Sequence, residues 1–182
     1  MSGPSCEVPP RKQSEIFEVA MEVRRGLGIR VDAFPIAEVL EFVMPAAFPG
    51  FALEVAELHE MGPNHGLTIP ADNIIRLRQD VYDGMVDGRG RDRFTAAHEL
   101  GHYLIHRNVP IRFHRAENGR LPAYRDSEWQ ANTFAGALLM PPDLVRHCES
   151  LGEIVERFQV SRDAAQVHNK ILAKKGLMRI LS

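Results

Sequence analysis

Apolar residues recur at helical spacing near the start of the chain. Ile16, Phe17, Ala20, Val23 and Leu27 fall on one face of a helix that Ser14 can cap, which predicts a helix over 14–27. A second short helix is predicted over 35–43, closed by Pro45 and by Pro49-Gly50. The period then changes to two. Phe51, Leu53 and Val55 alternate with Ala52, Glu54 and Ala56, the run 73–78 reads as another strand, and 65–69 as a weaker one between them. Asp83-Gly84 and Asp87-Gly88 punctuate a loop. Beyond it, helices are predicted at about 92–106, 126–140, 142–149, 151–158 and 161–175, with a long loop over 107–125. A loop of that length in a compact domain is often functional. The predicted class is α+β, a small antiparallel three-stranded sheet packed on a helical majority.

Composition narrows the function classes. The 182 residues are 45% hydrophobic and 25% charged, as in an ordinary globular domain with one core. A net charge of −2 argues against a chain whose whole surface binds nucleic acid or membrane. Cys6 and Cys148 lie far apart and make no disulfide framework, which fits a reducing compartment. No run approaches the ~18 apolar residues of a membrane span. Residues 1–10 lack the basic flank and apolar run of a signal peptide. The expected location is the cytoplasm, and 1–13 are expected to be a flexible leader.

The candidate chemistry is His98-Glu99-Leu100-Gly101-His102. Four helical residues turn about 400°, so both imidazoles lie on one face with Cβ atoms roughly 5–6 Å apart and reach one metal ion. Neutral imidazole suits Zn²⁺. Glu99 is turned about 100° from His98. It can stand beside the metal as general base without ligating it. The bland alternative is two histidines on an ordinary helix. Against it, Phe94, Ala97, Gly101, Leu104 and Ile105 give the segment an apolar face that a core can hold. Ile105 and Asn108 stand where a metzincin would need Gly and His, which excludes that subclass. His106, one turn beyond His102, reads as a supporting or core residue.

A catalytic zinc takes three protein ligands and keeps one open position. The later carboxylates are Glu117, Asp126, Glu128, Asp143, Glu149, Glu153, Glu156 and Asp163. Glu128 is the best placed, because it opens a helix with the stripe Ala131, Phe134, Ala135, Leu138 and Leu139. Small residues at 131, 135 and 136 permit close approach of a second helix. Asn132, one turn on, could hydrogen-bond within the site. Spacing leaves two readings of Glu128 open: a ligand, or an acid favoured by a helix N-terminus.

The blocks RFTAAHELGHYLIH at 93–106 and EWQANTFAGALLMP at 128–141 resemble the ImmA/IrrE family of metallo-endopeptidases, and the similarity extends over about 51–178. The resemblance implies a zincin-like active-site helix, zinc bound by His98, His102 and Glu128, and Glu99 as the base. It divides the chain into N-terminal helices (14–50), a peptidase core (51–149) and helix-turn-helix-like C-terminal helices (150–182) packed on it. It implies a separately encoded substrate, a helix-turn-helix repressor or antitoxin. Family members often have Arg-Leu where this chain has His168-Asn169.

By that reading, the strand 73–78 pairs with an extended substrate, and Arg76 and Arg78 face acidic neighbours. Tyr103, His114 and Tyr124 are candidates to stabilise the oxyanion. Two rival readings remain. One is a DNA-binding module built on 153–170 with Lys170, Lys174, Lys175 and Arg179. The other is an interaction protein of toxin-antitoxin type with a structural zinc or none, for which Cys148 and His114 are the available extra ligands.

Overall fold

The computed structural model describes residues 5–109 and 121–181. The architecture is α+β. Helix α1 (Gln13–Gly26) is followed by α2 (Ile36–Glu38), a π-turn (Val39–Val43) and α3 (Met44–Ala47). These three pieces run on through Pro45, where the sequence predicted a stop. A proline ring clashes with the carbonyl four residues back in a regular α-helix, and the wider π-turn just before Pro45 relieves that clash.

Strands β1 (Ala52–Ala56), β2 (Gly66–Ile69) and β3 (Ile74–Arg78) form the sheet, with α4 (Leu58–Met61) between the first two. The order is β1-β3-β2. Only β2 and β3 are antiparallel; β1 runs parallel to β3, so the sheet is mixed. Alternation marks a strand but does not name its partner. The crossover through α4 and β2 returns the chain in the direction of β1. With β3 in the middle, both of its edges are paired, and a substrate strand cannot add to it. Arg76 is held by Glu54 across to β1, and Arg78 by Asp80.

Helix α5 (Gln79–Val86) runs straight through Asp83-Gly84, which the sequence predicted as a loop. Gly84 is needed for packing, because the side chains of Asp92 and Arg89 occupy the place of a Cβ. The turn comes at Gly88, whose φ of 79° favours glycine. Then follow α6 (Gly90–His106), α7 (Ser127–Leu139), α8 (Pro142–Val145), α9 (Leu151–Phe158) and α10 (Arg162–Lys174). Helix α8 is one turn, shorter than predicted. Ser150 and Ser161 cap α9 and α10 by accepting from Glu153 N and Ala164 N. The expected loop over 107–125 falls largely outside the described residues, as do His114 and Glu117. Among the described residues no helix is long and apolar enough to cross a membrane.

The core lies where α6 and α7 pack together, with Leu100, Phe134, Ala135 and Leu138 inaccessible, roofed on one side by Ile75 and Leu77 of β3. Gly101 allows the approach: a Cβ there would lie 2.9 Å from Phe134 Cδ1 and 3.3 Å from the Ala131 carbonyl oxygen.

The expected leader is laid down in place from residue 6 to residue 11. Glu7 bridges Asp126, Val8 N donates to Arg125 O at 2.9 Å, Arg11 N to Tyr124 O at 3.0 Å, and Ser127 N to Cys6 O at 3.0 Å. Cys6 and Val8 are buried. Pairing of this kind uses backbone groups that every non-proline residue carries, so composition gave no sign of it.

Candidate metal centre

Helix α6 presents His98 and His102 on one face, as the four-residue spacing requires. Helix α7 brings Glu128 to both. His98 Nε2 is 3.3 Å from one Glu128 oxygen, and His102 Nε2 is 3.0 Å from the other. The three form a group whose ligand atoms lie within 4.8 Å of one another. Asp126, an alternative in the sequence, instead caps α7, accepting from Glu128 N at 2.8 Å and Trp129 N at 3.2 Å. Glu153 is tied to Arg157 on α9.

The hydrogen bonds around the rings fix which nitrogens carry protons. Gln130 Nε2 lies 2.9 Å from Pro9 O and 2.9 Å from Tyr124 O, both pure acceptors, so the amide nitrogen faces them. Gln130 Oε1 therefore accepts from His106 Nε2 at 3.1 Å. That leaves His106 Nδ1 bare, to accept from His102 Nδ1 at 3.1 Å. On the other ring, His98 Nδ1 donates to Asn132 Oδ1 at 3.0 Å. Both Nε2 atoms thus present lone pairs, 2.9 Å apart, beside a carboxylate. Three acceptors converging in this way are satisfied by a proton or a cation between them, and two imidazoles with one carboxylate are a donor set that could hold a divalent metal ion.

The electrostatics agree. Burial opposes charge on His98, but the Glu128 hydrogen bond and the charges of Glu99 and Glu128 outweigh it, and the pKa rises. Burial pushes the Glu128 carboxyl up, yet its contacts with His102 and His98 bring it down to about 2. The two shifts favour a positively charged His98 beside an ionised Glu128. His106 is kept neutral: burial lowers it to about 4, partly offset by Gln130.

Glu99 is 1% exposed and stands beside this cluster. Thr68 Oγ1 contacts its Oε2 at 2.7 Å and its backbone oxygen at 2.9 Å. Its Oε1 is buried and is the one such atom without a hydrogen-bond partner among the described residues. Gly66 makes room, since a Cβ there would lie 2.7 Å from Glu99 Cγ. A buried, unsatisfied carboxylate oxygen is costly, and a water or substrate proton in the site would satisfy it.

Tyr103 is not at the site. Its ring packs edge-on to Phe48 and Phe51 in the core, and its hydroxyl donates to Asn73 at 3.3 Å. Tyr124 is half exposed and reaches the site only through its carbonyl. Thr68, Gly66, Gln130 and Pro9 were not singled out by the sequence. Gln130, two residues past Glu128, was the one of these within a motif.

A cavity of about 530 Å³ has Asn132, the partner of His98 Nδ1, on its lining. Phe17, Phe94, Trp129, Ala164, Val167 and Ile171 give it an apolar wall, with Arg91 and Asp163 also on its lining.

Residues 87–168, which hold all four candidate site residues, match the family model described as the IrrE N-terminal-like domain, Peptidase_M78. No curated protein matches the chain. Over this stretch, two histidines and a glutamate converge beside a buried acid and could hold a metal ion, and the match supports a metallopeptidase domain of the ImmA/IrrE type at 87–168.

Proposed function

We propose that the protein is a zinc endopeptidase whose substrate is a separate helix-turn-helix repressor or antitoxin, and that it acts in the cytoplasm. The observation that carries the peptidase reading is the buried Glu99 Oε1, lacking a partner next to three converging metal-type ligands. His98, His102 and Glu128 would hold the ion, with Asn132 and His106 fixing the two rings. Bound there, zinc would supply a Lewis acid that makes a water acidic and polarises a peptide carbonyl. Glu99 takes the proton of that water at Oε1 and returns it to the leaving amine. Thr68 holds the carboxyl group in place in both states. The apolar cavity past Asn132 is of a size to receive a large apolar side chain of the substrate. The repressor or antitoxin as substrate rests on the resemblance of the two sequence blocks.

The test pairs metal analysis with a cleavage assay against a helix-turn-helix regulator encoded beside this gene. Glu99→Gln is expected to keep one zinc per chain and lose cleavage, and His98→Ala to lose both. Cleavage by Glu99→Gln at the wild-type rate would overturn the role given to Glu99.

A further inference from the structure

The segment 6–11 and the metal centre are joined by hydrogen bonds that the proposed reaction does not itself use. Gln130 is inaccessible to solvent, and its amide is fully engaged: the oxygen on His106, the nitrogen on Pro9 O and Tyr124 O. Pro9 and Pro10 have no N–H, so the ladder between 6–11 and 124–127 is interrupted there, and the Pro9 carbonyl is left to Gln130. His106 in turn contacts His102 Nδ1, the nitrogen opposite the ligand position. The same segment bears on the second ligand. It pairs with residues 124–127, and Asp126 there caps the helix that begins next to Glu128.

Resting on the metal-centre reading above, we infer that Gln130 is a positioning residue for the metal, held by the segment 6–11, and that it fixes the His102 ring through His106. A contact 121 positions apart in sequence thereby becomes part of the metal's support. Outer partners of metal-bound histidines typically change metal affinity by 10–100-fold. A methionine at 130 matches glutamine in length but has no strong acceptor for His106 and no donor for the two carbonyls. It frees the His102 ring without touching a ligand.

The experiment measures zinc affinity by competition with a chelator in the full chain. Gln130→Met is expected to weaken zinc by about 10–100-fold with an unchanged far-ultraviolet circular dichroism spectrum. The cobalt-substituted protein should show altered d–d absorption, which packing loss elsewhere would not produce. Val8→Asp, which dislodges the segment by burying a carboxylate, should weaken zinc similarly. The double variant should be no weaker than the weaker single one, because both act through one chain of contacts. Wild-type affinity and spectrum in Gln130→Met overturn this inference alone, as do effects of the two substitutions that multiply. A wild-type chain that takes up no zinc overturns the metal-centre reading and this inference with it. Should Val8→Asp not fold, the Gln130→Met measurements decide.

Discussion

The hydroxyl of Thr68 sits between two oxygens of Glu99, 2.7 Å from the carboxylate and 2.9 Å from the backbone carbonyl. It has one proton for two acceptors. When Glu99 is ionised the proton goes to Oε2; when Oε1 is protonated, Oε2 is a neutral carbonyl oxygen and the hydroxyl proton is shared between it and the backbone carbonyl. Thr68→Val removes this partner and keeps the shape. A hydrogen bond to a charged group is worth about 1.5–3 kcal/mol, so turnover should fall roughly 10–100-fold. Zinc content should be unchanged, and Thr68→Ser should keep most of the rate. Unaltered turnover in Thr68→Val would mean that Glu99 is placed by other contacts.

The cavity beyond Asn132 can be probed without a known substrate. Acetohydroxamate reports on the metal alone, and a hydroxamate carrying a benzyl group adds the side chain. Burying a group of that size contributes about 1.5–3 kcal/mol, so the benzyl compound should bind roughly 10–100-fold tighter by calorimetry. Thr133→Trp, filling a position on the cavity wall, should erase the difference and spare acetohydroxamate. Equal affinities in the wild type would remove the cavity from the substrate site.

Acid should destabilise the fold through His168. Its ring is fully buried, and its Nε2 donates to Met140 O at 2.9 Å. It is also pressed against Gly136, where a Cβ would lie 2.9 Å from Nδ1. Burial lowers its pKa from 6.5 to about 4, with the Met140 bond as a partial offset. The unfolded chain therefore binds a proton that the folded chain refuses. The stabilisation is complete above pH ~6.5 and is lost as pH falls from there to about 4, a total of roughly 3 kcal/mol. Denaturant titrations at pH 7.5 and pH 5 should show the loss. The difference should shrink in His168→Gln, and an equal difference in both proteins would assign it to other groups.

Much of the centre was legible because it is local. His98, Glu99 and His102 lie within five residues, and helical geometry alone puts the rings together. Glu128 was not decided by spacing, since its distance from His98 depends on how α6 packs on α7; the close approach at Gly101 goes with its placement beside the two rings. Thr68 carried no signal, because a threonine in a strand is ordinary until the strand is known to lie beside Glu99. The α+β class followed from the two hydrophobic periods. The parallel pairing of β1 with β3 did not, because alternation tells which residues share a face and not which strand is next. Gly84 misled for a related reason: glycine marks a turn when φ is positive and close packing when it is not, and the letter is the same.

Gly90 opens the helix of the two histidines, and the backbone of Val160 and Ser161 fills the space where its Cβ would be. Three residues on, the buried Arg93 donates to Gln159 O at 3.0 Å and Phe34 O at 2.8 Å. The turn between α9 and α10 is thereby fixed to the foot of the histidine helix. The C-terminal pair of helices and the histidine helix are thus held together at one point, by backbone packing at Gly90 and by the Arg93 guanidinium.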